Sequence, residues 1–366
     1  MRIAMVGSRG VPALYSGFET AVTEIGRRLV ERGHEVIVYC RKGYGDESRP
    51  TCLGMRKIYL PRIHLKVADT LSHTLFSLLH LALHPVDVII VVNPANGPLL
   101  AIPRLRGTPV AINVDGLEWE RGKWPWLGRR YFYFAAWLST KLANAVIADS
   151  RGIQAFYRER WHCEPFYAPY GGDIEESRRP QVLKEYGLAR NRYFVVVARV
   201  EPENNTALII EAFRRLDTTM KLFVVGGTNF RSRYFETLKA SNDDPRVTFA
   251  GGIYDQGRLT EIICNSFAYV HGHMVGGTNP VLLKAMGCGA RVLFADVIFN
   301  REVVQDAGLP FTLDIEGASR SFRAVLENPG DSEHLRERAR QRVRKAYCWD
   351  MVTDRYESLC TTLEKR

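Results

Sequence analysis

The amino-acid sequence predicts an α/β protein built from two doubly wound, Rossmann-like domains. Short β-branched runs alternate with segments of helical periodicity, and this alternation stops near residue 170 and then begins again. The length supports the prediction, because 366 residues exceed what one hydrophobic core usually serves. We therefore expect two cores, one in each half of the chain.

The first half begins with an apolar run at residues 2–6, which ends at Gly7. Residues 18–32 show helical periodicity, and a second apolar run follows at residues 35–40. Three later runs have the composition of buried parallel strands, at residues 86–92, 110–114 and 145–148. Strand, glycine loop, helix and strand in this order predict a doubly wound domain.

The second half follows a segment rich in Pro, Gly and Tyr at residues 165–173 and a charged stretch at residues 175–184, which together are typical of a domain junction. The α/β pattern then returns, with strands predicted at residues 193–198, 222–225 and 247–250 and helices at 207–216 and 281–286. Because open α/β sheets bind ligands at the carboxyl ends of their strands, we expect both domains to face an active-site cleft.

Composition narrows the class of protein. The seven cysteines are scattered, which fits a reducing cytoplasm and predicts neither a disulfide framework nor a zinc site. No apolar stretch is long enough to span a membrane and no signal peptide is apparent, so we expect a soluble or peripheral membrane protein. The net charge of +10 predicts an anionic partner. Nucleic acid is not expected, since the Arg-rich residues 334–345 have the spacing of a solvated helix face.

Two loops after predicted strands have the chemistry of phosphate sites. Gly7 and Gly10 permit close backbone approach ahead of a helix, although their spacing matches neither a dinucleotide motif nor a P-loop and also fits a plain turn. Arg199 follows the first strand of the second half, where its forked donors would match phosphate oxygens. An ordinary loop arginine remains the alternative there.

Two further segments carry polar groups beside glycine or tryptophan. Residues 271–280 contain His271 and His273 before a helix, but without a third ligand nearby we predict no metal site. Residues 115–124 contain Asp115 and two glutamates, from which spacing alone establishes no acid–base pair. Residues 124–141 are aromatic and basic, and we interpret them as a core stripe, with a membrane surface as the alternative.

These motifs resemble glycosyltransferase family 4, and within it the rhamnosyltransferase-like branch of bacterial cell-surface polysaccharide synthesis. The resemblance rests on residues 7–12, 17–20, 113–119, 148–150, 201–205, 276–280 and 299–302. It implies a GT-B fold with an acceptor-side domain at 1–170, a donor-binding domain at 171–346, and a last helix at 347–366 that returns to the first domain. It also implies a nucleotide diphosphate sugar donor, a saccharide or lipid-linked acceptor, retention of configuration, and no metal or other cofactor.

The resemblance assigns site residues by position. In such enzymes basic side chains and helix N-termini neutralise the departing diphosphate, and a phosphate oxygen takes the acceptor proton. The assigned catalytic residues are Asp115, Arg199 and Lys284; the donor-binding residues are Gly7, Arg9, Gly10, Asn204, Gly252, Tyr254, Gly276, Gly277, Thr278 and Asn279; the acceptor-binding residues are Gly17, Phe18 and Glu19.

Three positions depart from the family pattern. Asn204 stands where the wider family has a lysine, and Lys284 stands where the helix normally has a glutamate that grips the ribose. The earlier acidic position is Met274 or Gly276. One hypothesis is that the Lys284 cation replaces the charge lost at Asn204, which would suit a thymidine diphosphate rhamnose donor without a 2′-hydroxyl. The other is a catalytically silent protein that binds a nucleotide sugar or scaffolds another transferase. A hydrolase or epimerase is a third alternative. We expect a cytoplasmic location, including the inner face of the membrane.

Overall fold

The computed structural model describes residues 1–13, 17–65, 68–122, 124–227, 232–328 and 332–365. The chain forms two compact units. The first comprises Met1–Tyr170 with Trp349–Arg366, and the second comprises Gly171–Cys348. Each unit contains one sheet of mostly parallel strands with helices in the connections. The predicted fold class, two Rossmann-like α/β domains, is confirmed.

The sheet of the first unit has eight strands in the order β3-β4-β2-β1-β5-β6-β7-β8. All neighbours pair in parallel except β3 and β4, which form an antiparallel hairpin. The central strands are buried along their length because their residues are almost all apolar. The strands are β1 (Arg2–Val6), β2 (Glu35–Arg41), β3 (Thr51–Cys52), β4 (Met55–Leu60), β5 (Val88–Val92), β6 (Val110–Asn113), β7 (Ala145–Ala148) and β8 (Phe166–Tyr167).

Helices cover both faces of this sheet. Right-handed crossovers that run in opposite directions from the centre place their helices on opposite faces. The crossover from β1 to β2 therefore puts its helix on one face, and the crossovers from β4 to β5, β6 and β7 put theirs on the other. The helices are α1 (Gly17–Glu31), α2 (Ala68–Leu83), α3 (Ala101–Leu105), α4 (Trp126–Leu142) and α5 (Arg151–Trp161), with 3₁₀ turns at Pro94–Leu100 and Glu118–Glu120.

The aromatic segment at residues 124–141 forms most of α4, and its interpretation as a core stripe is wrong for half of the helix. Phe132, Ala135 and Ala136 are buried, as a core stripe requires. Trp126 and Phe134 are exposed on the opposite side. The aromatic residues recur so often in α4 that they occupy both sides of the helix, and periodicity alone does not tell which side faces the sheet.

The sheet of the second unit has six parallel strands in the order β11-β10-β9-β12-β13-β14. Its strands are β9 (Tyr193–Val197), β10 (Lys221–Val225), β11 (Val247–Gly251), β12 (Ala268–His271), β13 (Val292–Ala295) and β14 (Gly308–Phe311). Its helices are α6 (Val182–Glu185), α7 (Thr206–Arg214), α8 (Arg233–Ala240), α9 (Gln256–Cys264), α10 (Pro280–Gly287), α11 (Ile298–Val304), α12 (Ile315–Glu327) and α13 (Ser332–Ala346), with a 3₁₀ turn at Pro202–Asn204. Phe194, Phe213 and Phe322 pack edge to face in its core.

The last helix, α14 (Trp349–Glu364), belongs to the first unit and packs on α1. Its apolar side is buried, and ion pairs line its margin. Arg28 of α1 pairs with Asp350 at 3.0 Å, and Arg32 pairs with Glu357 at 2.6 Å. The helix is thus tied to α1 by hydrophobic packing and by charge.

Candidate functional site

Each sheet has one point at which the connections turn in opposite directions. In the first sheet this point lies between β1 and β5, and in the second it lies between β9 and β12. Loops that follow the strands on either side of such a point leave a crevice at the carboxyl edge, where α/β proteins bind ligands. The predicted site residues at 7–10, 199 and 276–279 follow three of these four strands.

The loop after β1 is shaped by two glycines that no other residue could replace without strain. Gly7 has φ +97°, and a Cβ there would lie 2.4 Å from the Val92 carbonyl oxygen. Gly10 has φ +133°, and a Cβ there would lie 2.7 Å from the Cys40 sulfur. The backbone therefore runs tightly against the ends of β2 and β5. Both positive φ and close approach, which the sequence only suggested, are present.

The start of α1 brings an arginine and a glutamate together. Arg9 Nε lies 3.9 Å from Glu19 Oε1, and the Glu19 side chain is buried. The Arg9 side chain keeps about a third of its surface exposed. Gly17 is the first residue of α1 and Phe18 is half-buried beside it. Residues 14–16, which lie between the glycine loop and α1 in the sequence, are outside the described residues.

Asp115 lies just past the end of β6 in a left-handed conformation, with φ +51°. Its backbone N–H donates to Asn113 Oδ1 at 2.9 Å, which holds the turn, and Tyr170 donates its hydroxyl to Asp115 Oδ1 at 3.2 Å. Burial of the carboxyl group raises the pKa of Asp115, although the nearby Arg121 acts in the opposite direction. A carboxyl group with a raised pKa and a left-handed backbone at a strand end is typical of functional sites.

Four polar residues near Asp115 were not assigned to the site from the sequence. Asn113 donates to the Tyr356 hydroxyl at 2.8 Å, and Asp149 is fully buried just after β7. The charge of Asp149 contributes to raising the pKa of both Tyr170 and Tyr356, for which burial is the main cause. The signal for Asp149 was its place after a strand end; Tyr356 lies 243 residues from Asn113 and only the returning helix brings it there.

The glutamates that follow Asp115 are differently placed. Glu118 pairs with Arg121 at 2.6 Å and accepts a hydrogen bond from Trp124 Nε1 at 2.9 Å. Glu120 as a whole residue is exposed, but partial burial of its carboxyl group raises its pKa. With its carboxylate engaged twice, Glu118 is poorly suited to act as the second carboxylate of a hydrolase pair with Asp115.

In the second unit, Arg199 follows β9 and reaches into solvent. Its guanidinium lies 3.6 Å from Glu201 and its side chain is 39% exposed, so it can bind an anion without losing a buried contact. Asn204 is buried, and its side-chain amide donates to the Arg199 carbonyl oxygen at 2.7 Å. Asn204 therefore shapes the loop that presents Arg199, and its amide group does not reach outward.

The loop after β12 offers unpaired backbone donors. Asn279 is the N-cap of α10, and its Oδ1 accepts from the amides of Val281 and Leu282 at 3.0 and 3.3 Å. The helix amides are thus satisfied internally. The backbone N–H groups of Gly276 and Gly277 donate to no other described residue. These two amides can donate to a phosphate oxygen.

The loop after β12 is also fixed in position. Asn205 donates to the Gly272 carbonyl oxygen at 2.8 Å, and Met274 N–H donates to the Glu203 carbonyl oxygen at 3.1 Å. A Cβ at Gly272 would lie 2.4 Å from the Asn204 carbonyl oxygen. These contacts join the loop that carries Arg199 to the loop that carries Gly276, Gly277 and the buried Thr278.

Gly252 and Tyr254 form a small platform after β11. A Cβ at Gly252 would lie 2.7 Å from the Tyr254 ring, so the ring rests on a glycine backbone that leaves it room. The Tyr254 residue is 63% exposed. An exposed aromatic face at the carboxyl edge suits stacking with a planar base.

The two histidines after β12 stack on each other, with ring centroids 4.4 Å apart. His271 is fully buried, and burial lowers its pKa to about 3, so its ring is neutral. Tyr269 and His271 Nδ1 share a hydrogen bond of 3.0 Å. Within the described part of the chain, no group of three His, Cys, Asp or Glu side chains is arranged to hold a metal ion.

Lys284 meets a carboxylate that the sequence did not point out. Its Nζ lies 2.9 Å from Glu175 Oε1, and Thr260 donates its hydroxyl to Glu175 Oε2 at 3.3 Å. Glu175 itself is held against α10 because its N–H donates to the Gly287 carbonyl oxygen. A glutamate from the linker thus lies beside α10, next to the position where the family helix has its own.

Two family models match this chain, one in each of its two units. Residues 16–165 match the family model described as a glycosyl transferase 4-like domain, and residues 179–342 match the model described as glycosyl transferases group 1. The chain is a glycosyltransferase of the GT-B fold. The resemblance to glycosyltransferase family 4 is confirmed at this level, and the rhamnosyltransferase branch stays a prediction.

Solved structures share the fold over nearly the whole of this glycosyltransferase. Sucrose-phosphate synthase from Thermosynechococcus elongatus has a TM-score of 0.84 at 18% identity, over 99% of this chain and 98% of that one. Anabaena HepE in complex with UDP and glucose has a TM-score of 0.79 at 16% identity, over 99% and 100%. WaaG, a glycosyltransferase involved in lipopolysaccharide biosynthesis, has a TM-score of 0.73 at 17% identity, over 99% of both chains.

One curated relative matches a smaller part of the chain. It is the N-acetylgalactosamine-N,N'-diacetylbacillosaminyl-diphospho-undecaprenol 4-alpha-N-acetylgalactosaminyltransferase of Campylobacter jejuni, which is 22% identical over 218 residues. The matched part of this glycosyltransferase spans 57% of the length of that relative, and 57% of its own.

Proposed function

We propose that this glycosyltransferase moves a sugar from a nucleoside diphosphate donor to a saccharide or lipid-linked acceptor, with retention of configuration and without a metal ion. The observation that carries the proposal is the set of anion donors at the carboxyl edge of the second sheet. Arg199 has a partly exposed side chain there, and the amides of Gly276 and Gly277 have no partner among the described residues. A cation and two free amides suit a diphosphate that gains charge as it leaves.

In the proposed mechanism the second unit stabilises the leaving group. Arg199 and the Gly276 and Gly277 amides would bind the diphosphate oxygens, and Tyr254 would stack on the base. Arg9 stays a proposed donor-binding residue of the first unit. A diphosphate oxygen would accept the proton of the acceptor hydroxyl, so no protein base is needed, and Asp115 would contact the donor sugar.

Thymidine diphosphate rhamnose is the donor that we propose first. Lys284 is held by Glu175, so a donor diphosphate must exchange with Glu175 or bind beside it. Both Glu175 oxygens are engaged, by Lys284 and by Thr260, so they would not replace the family glutamate as the acceptor for a ribose hydroxyl. A deoxyribose donor needs fewer such acceptors than a ribose donor.

The acceptor is proposed from the partners of related proteins. The Campylobacter jejuni relative is named for a diphospho-undecaprenol acceptor, and HepE is described with UDP and glucose. We propose a saccharide acceptor on a lipid carrier, reached at the inner face of the membrane. No helix among the described residues is long and apolar enough to cross a bilayer.

A silent nucleotide-sugar binding protein is the second candidate. It is favoured by one observation, the ion pair between Lys284 and Glu175 at the place where the family has a single glutamate. If Lys284 and Glu175 only stabilise the fold and take no part in catalysis, the donor would bind and no product would form.

Turnover separates the two candidates. The purified chain is incubated with thymidine diphosphate rhamnose or UDP-glucose, together with saccharides either free or carried on undecaprenyl diphosphate, in the presence of a chelator. We expect release of one nucleoside diphosphate and a product that retains the anomeric configuration of the donor. Binding of a donor without product from any acceptor would instead support the silent protein.

Lys284→Ala tests the proposed charge replacement. If Lys284 contacts the diphosphate, its loss should weaken donor binding by about tenfold, the typical value of one charge-assisted hydrogen bond. Lys239→Ala, at an exposed position in the last turn of α8, is the matched control. Donor affinity and turnover that both stay unchanged in Lys284→Ala would show that the cation does not replace the lost charge.

A further inference from the structure

The outer side of the helix layer formed by α2, α3 and α4 is apolar. On α2, three large side chains at helical spacing are exposed, namely Phe76, Leu79 and Leu83, of which Leu83 is 78% exposed. On α4 the exposed residues are Trp126, Leu127, Phe134 and Trp137, and Trp126 is 70% exposed. We name these seven residues, with Leu105 at the end of α3, the α2–α4 face. Soluble proteins seldom expose so many large apolar side chains on adjacent helices.

The two helices form one continuous layer. Both cross over on the same face of the sheet, and both contact the 3₁₀ turn Pro94–Leu100. At one end of the layer, Arg106 donates to the Ala82 carbonyl oxygen of α2 at 2.8 Å, and Arg104 donates to the Lys141 carbonyl oxygen of α4 at 3.3 Å. The end of α3 therefore bridges the ends of α2 and α4, and the exposed stripes belong to one surface.

The charged residues of α4 are all basic. Helix α4 contains Arg129, Arg130 and Lys141 and no Asp or Glu. The acid of α2 is Asp69, which pairs with Arg41 and Arg62 and so presents no free negative charge. Arg130 lies over the Trp126 ring at 5.7 Å, and Phe134 and Trp137 are in ring contact at 5.8 Å. Tryptophan and arginine side by side are typical of the water interface of a bilayer.

We propose that the α2–α4 face binds the surface of an anionic lipid bilayer, with its aromatic side chains in the headgroup region and its arginines and lysine against lipid phosphates. A protein partner would require matching acids, whereas a bilayer accepts any arrangement of apolar and basic groups on one side. The inference extends the proposed use of a lipid-linked acceptor, but the binding itself needs neither donor nor acceptor.

Cosedimentation with vesicles tests this proposal. The wild-type chain is mixed with vesicles of phosphatidylcholine alone, or of phosphatidylcholine with phosphatidylglycerol, without any substrate. We expect binding to the anionic vesicles that falls as salt rises from about 0.1 M to about 1 M, because the basic contacts are screened. Equal binding to neutral and anionic vesicles, or no binding to either, would overturn the proposal.

The double variant Phe134→Ser and Trp137→Ser should bind anionic vesicles about tenfold more weakly, because it removes two interfacial anchors. Leu53→Ser is the matched control, since Leu53 is exposed on the β3–β4 hairpin, away from this layer. Unchanged binding by the double variant would contradict the proposal. Light scattering gives a further check: a wild-type dimer that the double variant converts to a monomer would identify the face as a contact between copies.

Nucleotide binding distinguishes failure of this inference from failure of the proposed function. The double variant is titrated with thymidine diphosphate, and its thermal unfolding is compared with that of the wild type. Retained nucleotide binding without wild-type vesicle binding would overturn the membrane proposal alone. Vesicle binding by a chain that binds no nucleotide would leave the membrane proposal standing and contradict the proposed function.

Discussion

Gly7 illustrates how a single residue sets the geometry of the loop after β1. Its positive φ is one constraint, and the 2.4 Å that would separate a Cβ from the Val92 carbonyl oxygen is another. Gly33 has a similar φ of +88° but nothing within 4 Å of a Cβ. Substitutions at the two glycines can therefore be compared to separate the free-energy cost of backbone strain from that of steric crowding.

We predict that Gly7→Ala destabilises the fold by roughly 2–4 kcal/mol, the sum of left-handed strain and crowding. Gly33→Ala should cost only about 1–2 kcal/mol, since strain alone remains. Chemical unfolding of both variants measures the difference. Equal losses in the two variants would mean that close approach at Gly7 contributes nothing.

We expect the Asp115 carboxylate to support turnover and to lower the stability of the fold. Its folded-state pKa is raised by burial, so ionisation costs stability as pH rises from the ordinary Asp pKa through the raised value. Asp115→Asn removes that cost and keeps an acceptor for the Tyr170 hydroxyl. We predict that turnover falls by about tenfold or more while stability at neutral pH is maintained or increased. Unchanged turnover would remove Asp115 from the catalytic residues.

At the scale of elements, the ion pairs between α1 and α14 hold the returning helix. Glu357 accepts a hydrogen bond from His34 Nε2 at 2.8 Å and pairs with Arg32. The hydrogen bond from His34 and the contacts with Arg32 lower the pKa of Glu357. A carboxylate with a depressed folded-state pKa stabilises the fold above its ordinary pKa, and this stabilisation is lost as pH falls through the folded-state value.

Glu357→Gln should therefore reduce the free energy of unfolding by about 1 kcal/mol at neutral pH, a value discounted for partial exposure. The difference from the wild type should vanish in acid, once Glu357 is protonated in both states. Glu364→Gln, at an exposed position near the end of the same helix, is the control. A deficit of Glu357→Gln that persists unchanged in acid would argue against an ionic role.

The elements also show what the sequence could predict. The central strands β1, β2, β5, β9 and β10 and helix α1 follow directly from apolar runs and helical periodicity, and their predicted ends agree to within about two residues. The hairpin of β3 and β4 gave no such signal, because β3 has two residues and β4 contains Arg56 and Lys57. The outward side of α4 was assigned to the core, because its aromatic residues recur on both sides of the helix.

The site could be predicted only where it depends on neighbours in sequence. Gly7, Arg199 and Gly276 follow strand ends, so the pattern places them at a carboxyl edge. Tyr356 beside Asn113 and Glu175 beside Lys284 are separated from their partners by more than 100 residues. Such contacts depend on how distant elements pack, which local patterns do not specify.

At the scale of the whole molecule, each of the two units has its own sheet and its own role in the proposed reaction. The second unit contains Arg199, Tyr254, and the amides of Gly276 and Gly277, which have no partner in the part of the chain that the structure describes. Nucleotide binding should therefore depend on this unit. The first unit contains Asp115, which we propose to contact the donor sugar, and the α2–α4 face, which we propose to bind an anionic bilayer. The net charge of +10 suits both a diphosphate and an anionic bilayer.

The most direct test of this account is calorimetric titration of the wild-type chain, Arg199→Ala and Arg215→Ala with thymidine, uridine and guanosine diphosphates in the presence of a chelator. Arg215 is an exposed arginine that follows the end of α7 and pairs with Glu316, and it serves as the control. We predict that one nucleotide binds the wild type and Arg215→Ala equally, and binds Arg199→Ala about tenfold to a hundredfold more weakly. No binding of any of the three nucleotides, or wild-type affinity in Arg199→Ala, would contradict the account.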